Sequence, residues 1–335
     1  MKRVLVVGGY GVVGQWVVRL LRTAWGDLDV VIGGRRPEAG AALAEEYGAR
    51  LAHTDTVDAE AGLAALGPVD LVVAAVQDPD DALLRASLRA GSAHIGIVRK
   101  VDKLGPTAII AADLAQRAAV VMGHWQAGAA TFAALTTARE FQRVERVELA
   151  GLFDPADSAG QMSADDSGTF FARALVRSDG RWRHLAEGEG VRTVDRGDPP
   201  PFAAQPMGVL DVPAVAAATG AAHVRFDIGT GDSLGTLAGL PASHEIYADL
   251  WGLDRQGLPL ARRTVVSDPR GQAHLTAAGA VIGVERVLGL DGGTPPPAGL
   301  VTAEGLIDAG RAVDRLRQFG VSVMTGPLAA PHTGS

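Results

Sequence analysis

The sequence predicts an α/β protein whose first part is a doubly wound parallel sheet. Three observations carry this reading. Short apolar runs alternate with helically spaced segments through the first third of the chain, the rhythm of parallel strands joined by helical crossovers and covered on both faces. The first apolar run leads directly into a glycine-rich turn that opens a helix. Beyond about residue 130 the alternation gives way to irregular, Pro-punctuated segments, which marks a second region of different architecture.

The elements follow in order. Val4–Gly8 reads as a strand, and Gly11–Thr23 as a helix with Val13, Val17, Leu20 and Leu21 on one face. Val30–Gly33 is a second strand. Pro37–Tyr47 is a helix, with Pro37 suited to its first turn and Gly48 to its C-terminal cap. Ala49–His53 is a third strand, Ala59–Leu66 a short helix, and Val69–Val76 a buried strand. Asp81–Ala90 is a helix ended by Gly91, and Ala93–Val98 the next strand; Leu114–Ala119 lies in a helix that feeds Val120–Met122. In the second region Phe132–Phe141 reads as helix and Val144–Leu149 as strand. Phe170–Leu175, Val191–Val194 and His223–Ile228 are strands or short helices. Asp198–Pro206 and Gly292–Gly299 are loops. Val301–Phe319 carries Leu306, Ile307, Val313 and Leu316 at roughly helical spacing, and Gly326–Ser335 is a frayed, flexible tail.

Composition narrows the chemistry. A chain of 335 residues suggests two domains. It has no cysteine, which excludes disulfides, a thiolate nucleophile and cysteine-held metals or clusters. With 31 basic against 38 acidic side chains the net charge is -7, so nucleic acid is not an expected partner. No run approaches the ~18 apolar residues of a membrane span, and the apolar start Val4–Val7 breaks at Gly8 with no cleavage site after it. A cytoplasmic location is expected. The eight histidines show no HxxxH or HxH spacing, so no metal site is expected, and no Gly-x-Ser-x-Gly elbow is present.

The turn Gly9-Tyr10-Gly11-Val12-Val13-Gly14 has the spacing of a dinucleotide fingerprint. Gly9 permits the tight turn, Gly11 lets a pyrophosphate approach the backbone, and Gly14 lets the helix pack against the strand. Free amides at the helix start then face the anion. A tight turn without a ligand is the alternative. At the tip of the second strand an NAD site normally has an acid for the ribose 2′-hydroxyl. Here the residues are Gly33-Gly34-Arg35-Arg36, with Asp27 and Asp29 before the strand and Glu38 inside the next helix. Arg35 and Arg36 suit a 2′-phosphate, which favours NADP(H) over NAD(H); two merely solvated arginines are the alternative.

Together, Val4–Gly14, Gly34-Arg35-Arg36 and Ala74-Ala75-Val76-Gln77 resemble the NADP-binding domain of the saccharopine dehydrogenase family. Ala90-Gly91-Ser92-Ala93-His94-Ile95 is similar to the family's strand after an Ala-Gly pair, and Gly123–Ala129 to its Gly-x-x-x-Gly approach to the next helix. Gly299-Leu300-Val301-Thr302-Ala303-Glu304 resembles its Gly-Val-x-x-Pro-Glu element. The resemblance implies a Rossmann-type domain over 1–130 and an inserted α+β substrate and dimerisation domain over 131–295. A segment over 296–325 would return to the first domain before a tail over 326–335. It also implies that Ala75, Val76 and Gln77 touch the cofactor. Two departures stand out: Gly96 replaces an acid, and Ala127–Gly128 replaces the commoner Pro-Gly.

Hydride transfer needs a proton source at the substrate heteroatom, and in doubly wound folds the reactive crevice lies beyond the carboxyl ends of the strands. That placement selects His124, His94 and Lys100 as candidates. His124 could equally cap a strand end, His94 could be packed in the core, and Arg99–Lys103 could be a solvated loop. Trp125 and Gln126 would line a substrate pocket. Asp154, with Asp157, Asp165 and Asp166 beyond it, could bind an amine or form a solvated acidic loop. Tyr247 and Trp251 suit either a stacking surface or one face of a core helix. The function expected is an NADPH-dependent oxidoreductase acting on an imine or carbonyl of an amino-acid-like or secondary-metabolite substrate, working as a homodimer. The alternatives are a homospermidine-synthase-like reaction with no net redox change, and a non-catalytic NADP-binding protein.

Overall fold

The computed structural model describes residues 1–98, 101–157, 171 and 173–328. They form two compact units. The first comprises Met1–Gly128 and Thr276–Ile307; the second takes Ala129–Leu275 and the chain from Asp308 onward, as far as these are described.

In the first unit seven strands form one sheet: β1 (Arg3–Val7), β2 (Asp29–Gly34), β3 (Arg50–His53), β4 (Leu71–Ala74), β5 (Ala93–Gly96), β6 (Ala118–Val121) and β15 (Gly299–Thr302). Every pairing is parallel, in the order β15-β6-β5-β4-β1-β2-β3. β1 is the pivot: Val4 pairs with Val30 on one side and Leu71 on the other. The chain winds outward in one direction from β1 through β2 to β3 and then in the other through β4 to β6, so the order reverses between β1 and β4. β4, β5 and β6 are buried along their whole length, which is why their sequences are continuous apolar runs rather than alternating ones. The crossover helices are α1 (Gly14–Ala24), α2 (Ala41–Tyr47), α3 (Ala59–Leu66), α4 (Ala82–Arg89) and α5 (Leu104–Leu114). Gly48 ends α2 in the left-handed region (φ 61°), as its sequence position implies.

Two sequence expectations are corrected here. The helix before β6 is Leu104–Leu114, and Ala115 is already extended (φ -73°, ψ 121°), so Ala118 and Ala119 belong to the strand. Val301 does not start a helix. Leu300 and Val301 pair with Ala119 and Val120 of β6, and the main helix begins only at Ala309, where the Asp308 side chain accepts the Arg311 N–H at 2.9 Å. Extended Ile307 (φ -111°, ψ 126°) separates it from the short turn Ala303–Leu306. The helical spacing of Leu306 and Ile307 with Val313 and Leu316 therefore spans a break.

The second unit is a nine-stranded mixed sheet, with β7 (Arg143–Phe153) paired parallel to β12 (His223–Thr230) and antiparallel to β13 (His244–Leu253). Outside these lie β11 (Phe202–Pro206) and β10 (Arg192–Val194) on one side, and β14 (Pro259–Asp268) and β16 (Ser322–Pro327) on the other. The hairpin β8 (Ala174–Ser178) and β9 (Arg181–Leu185) joins through β12. The apolar helix α6 (Ala129–Ala138) is buried in this unit. Its Thr131 hydroxyl donates to Asp211 at 2.7 Å, on the helix Asp211–Thr219.

The domain limits differ from those expected. Only the chain up to Ile307 returns to the first unit. The helix Ala309–Gln318 and β16 stay with the second, because β16 extends the sheet antiparallel to β14 (Met324 opposite Val265) and Arg139 pairs with Asp308 at 2.6 Å. Gly326 and Pro327, expected in a frayed tail, belong to β16; residues 329–335 lie outside the described residues. Phe202–Pro206, expected as loop, is β11, with Phe202 buried. Tyr247 and Trp251 lie on β13, not on a helix.

Candidate functional site

The reversal between β1 and β4 places two loops side by side: Gly8–Val13 after β1, and Ala75–Gln77 after β4. Gly8 has a positive φ of 80°, and a Cβ there would stand 2.5 Å from the Val76 side chain and 2.9 Å from the Ala75 carbonyl oxygen. The Ala75 N–H donates to Val7 at 2.9 Å. The three fingerprint glycines have separate jobs. A Cβ on Gly9 would lie 2.8 Å from the Val6 carbonyl oxygen, and one on Gly14 only 2.1 Å from that of Gly8. These two glycines are required by the protein's own packing. Gly11 is exposed, and a Cβ there would meet only the Gly8 carbonyl oxygen, at 3.1 Å. No side chain caps α1, and no backbone carbonyl among the described residues takes the N–H of Val12 or Val13. An open backbone cradle at an uncapped helix start fits a diphosphate.

Tyr10 links this turn to the tip of β2. Its ring lies over Gly34, where a Cβ would fall 2.3 Å from Tyr10 Cε1, and its hydroxyl accepts the Arg36 N–H at 3.2 Å. Arg35 and Arg36 are exposed, and neither side chain forms an ion pair among the described residues. Gly33 and Gly34 therefore admit the tyrosine, while the two guanidinium groups stand beyond it.

At the other end of the sheet, β6 and β15 are neighbours, with Val121 opposite Thr302. His124 follows β6 and Glu304 follows β15, and the two meet: His124 Nε2 is 3.1 Å from Glu304 Oε2. The Thr302 hydroxyl donates to the other carboxylate oxygen at 2.6 Å. Burial pushes the Glu304 carboxyl up, but the imidazole of His124 and the Thr302 hydroxyl outweigh it and hold the pKa below the ordinary value. His124 is 4% exposed, and its Nδ1 has no hydrogen-bond partner among the described residues.

The loop beyond His124 is strained. Gln126 (φ 49°, ψ 48°) and Ala127 (φ 49°, ψ 39°) are consecutive non-glycine residues in the left-handed region, each costing about 1–2 kcal/mol. The helix Gln272–Val287 holds them there. Gly279 lets it approach so closely that a Cβ would lie 2.7 Å from the Ala127 carbonyl oxygen, and the Thr276 hydroxyl donates to the Gln126 side chain. Trp125 is half-buried beside them.

The remaining candidates fall elsewhere. His94 lies within β5, 2% exposed, with Nδ1 3.2 Å from the Ser87 hydroxyl of α4, as a packed core histidine would. Gly96 ends the same strand. Lys100, Asp165 and Asp166 lie outside the described residues. Asp154, in the second unit, is 2% exposed and engaged by its own chain: it accepts the Ala156 N–H at 2.9 Å, the Ser233 N–H at 2.8 Å and the Thr236 hydroxyl. Burial raises its pKa, but these donors overcome that and bring it down to about 2. Asp157 likewise accepts the Gln272 N–H at 2.8 Å. Both order loops within the protein. Among the described residues, Glu304 joins the candidate site although its position in the sequence does not single it out as a strand-end group. It was visible only as the last residue of the Gly299–Glu304 element, since nothing local announces that β15 lies beside β6.

No family model matches the sequence, and no curated protein is similar to it in sequence. Solved structures are similar in fold. Apo saccharopine dehydrogenase (L-Glu forming) from Saccharomyces cerevisiae superposes with a TM-score of 0.75 at 14% identity, over 98% of this chain and 100% of that one. Apo scyllo-inositol dehydrogenase from Lactobacillus casei gives 0.50 at 11% identity, over 96% and 98%. The fold is saccharopine dehydrogenase-like, with a parallel Rossmann-type sheet and a second mixed sheet.

Proposed function

From this fold we propose that the protein is an NADP(H)-dependent oxidoreductase acting on an imine or carbonyl of a small, amino-acid-like substrate. One observation carries the reading: the Gly9–Gly14 cradle opens at the reversal point of a 3-2-1-4-5-6 parallel sheet, where dinucleotides bind, with Arg35 and Arg36 exposed at the tip of the second strand. Gly11, Val12 and Val13 would hold the pyrophosphate through backbone amides. Arg35 and Arg36 would hold the 2′-phosphate, with Tyr10 setting the Arg36 backbone beneath it. Ala75, Val76 and Gln77 would border the dinucleotide across the turn. The bound nicotinamide would supply or accept hydride. His124 would hold and deliver the proton at the substrate heteroatom, and Trp125 and Gln126 would exclude water around it. The substrate class rests on fold likeness alone. A cytoplasmic homodimer without nucleic-acid or membrane partners completes the proposal; no helix among the described residues is long and apolar enough to cross a membrane.

Titration of nicotinamide fluorescence tests the cofactor. NADPH is expected to bind at least about tenfold more tightly than NADH, the effect of roughly 1.4 kcal/mol from phosphate–guanidinium bonds. Arg35→Glu should shrink or invert that ratio. Equal affinities, untouched by the substitution, would falsify the NADP assignment. Gly96, which leaves no acid at the end of β5, favours a second reading as a non-catalytic NADP-binding protein. That reading predicts tight NADPH binding with no exchange of the nicotinamide C4 hydrogen into any metabolite pool.

A further inference from the structure

We infer that Glu304 is the positioning residue for His124: it fixes the imidazole with Nε2 protonated and leaves Nδ1 as the nitrogen that exchanges a proton with substrate. The inference rests on the oxidoreductase reading above for its substrate, and on geometry for the pair itself.

A carboxylate only accepts hydrogen bonds, and no aligned donor among the described residues reaches Glu304 Oε2, so the imidazole nitrogen that faces it at 3.1 Å is the one suited to carry hydrogen. Glu304 cannot turn away freely, because the Thr302 hydroxyl holds its other oxygen at 2.6 Å and Thr302 is fixed in register with Val121 of β6. The neutral ring then presents a lone pair at Nδ1, and the protonated ring presents Nδ1–H.

That nitrogen is where a purely structural pair fails as an explanation. A buried polar atom with no partner is desolvated without compensation, and His124 Nδ1 is such an atom among the described residues. A strut would gain by bonding both nitrogens. The backbone around the ring is also held against its own preference, since Gln126 and Ala127 stay left-handed under the helix that carries Gly279. An orphaned imidazole nitrogen, an anchored carboxylate behind it and a strained loop beside it coincide at the carboxyl ends of two adjacent parallel strands. A general acid–base in this fold class belongs there.

The proton balance is simple. In the reducing direction a nicotinamide held at the Gly9–Gly14 turn would supply hydride to the substrate carbon, and the electron pair of the C=N or C=O bond would move to the heteroatom. That atom would take the proton from Nδ1 of the imidazolium, leaving a neutral ring with Nε2–H facing Glu304. Water restores the Nδ1 proton. Oxidation runs the same transfers backward, with Nδ1 as base.

The test is two-bond ¹⁵N–¹H correlation on full-length protein labelled at histidine, at a pH where the ring is neutral, with His124→Asn to assign the resonance. The expected result is Nε2–H with a lone pair at Nδ1 in the parent, and a mixture of tautomers in Glu304→Ala. Glu304→Asp should restore part of the parent signal. An Nδ1–H tautomer in the parent overturns the inference, and so does an unchanged tautomer in Glu304→Ala with the melting temperature preserved. The parent spectrum decides the matter even where a variant fails to fold. NADPH titration of the same samples separates the two claims: a parent that shows the expected tautomer but does not bind NADPH refutes the oxidoreductase reading, and with it the substrate role of Nδ1, while the pairing itself stands.

Discussion

Gly11 and Gly14 lie in one turn, but their substitution by alanine should fail in opposite ways. At Gly14 the new Cβ would lie 2.1 Å from the Gly8 carbonyl oxygen, 2.7 Å from Gly9 Cα and 2.8 Å from the Gly8 carbonyl carbon. All three obstacles are backbone, so no rotamer can relieve them. Reaching even 3.0 Å requires β1's turn and α1 to separate by about 0.9 Å. Overpacking of this kind costs about 1–3 kcal/mol, at the upper end when only backbone can yield. The gain from alanine in a helix is at most about 1 kcal/mol, leaving a net loss of about 2 kcal/mol. At roughly 2–4 °C per kcal/mol for a unit of this size, that is a fall of about 4–8 °C in melting temperature. In Gly11→Ala the Cβ meets only one atom, at 3.1 Å, and otherwise points into open space. Stability should therefore stay within about 0.5 kcal/mol, while the methyl occupies the pyrophosphate's approach and weakens NADPH binding at least about tenfold. Thermal unfolding followed by circular dichroism and NADPH fluorescence titration read the two effects separately. A Gly14→Ala protein as stable as the parent would refute the packing argument. A Gly11→Ala protein that binds NADPH with parental affinity would refute the cradle.

Two further outcomes follow from the same geometry. Ala127→Gly relieves a left-handed alanine, a gain of about 1–2 kcal/mol, against about 0.4–1 kcal/mol of extra unfolded-state entropy. Chemical denaturation should find it neutral to about 1.6 kcal/mol more stable, whereas Ala130→Gly in α6 should lose about 1 kcal/mol; equal losses would contradict the strain reading. Asp154, with its folded pKa near 2 against about 3.9 when unfolded, contributes stability that is complete above about pH 5 and disappears as pH falls through 2. Asp154→Asn should lower stability at neutral pH by about 1–2 kcal/mol and flatten the acid limb of the stability profile. An unchanged acid limb would show that the carboxylate does not order its loop.

How much could be read in advance depended on how local the interactions are. The Gly9–Gly14 turn, the strands β1, β2, β4 and β5 and the left-handed cap at Gly48 arise from neighbours in sequence: apolar runs buried on both faces, helical spacing, and glycine where a Cβ has no room. The tip residues Gly34, Arg35 and Arg36 were legible for the same reason, because the β2–α2 turn is a few residues long. Pairings distant in sequence were not. Leu300 and Val301 could form a strand only because β6 offers an open edge, so the apolar spacing through Leu316 suggested one helix where there is a strand, a break and a helix. Asp308 and β16 joined the second unit because β14 needed an edge partner. Asp154 reads as a free acid in sequence, and only folding brings Ser233 and Thr236 to its oxygens. The same holds for His124, whose partner Glu304 stands 180 residues further along the chain. Local sterics wrote the glycine turn into the sequence, whereas the His124–Glu304 pair exists only because β15 pairs with β6 and brings two distant strand ends together.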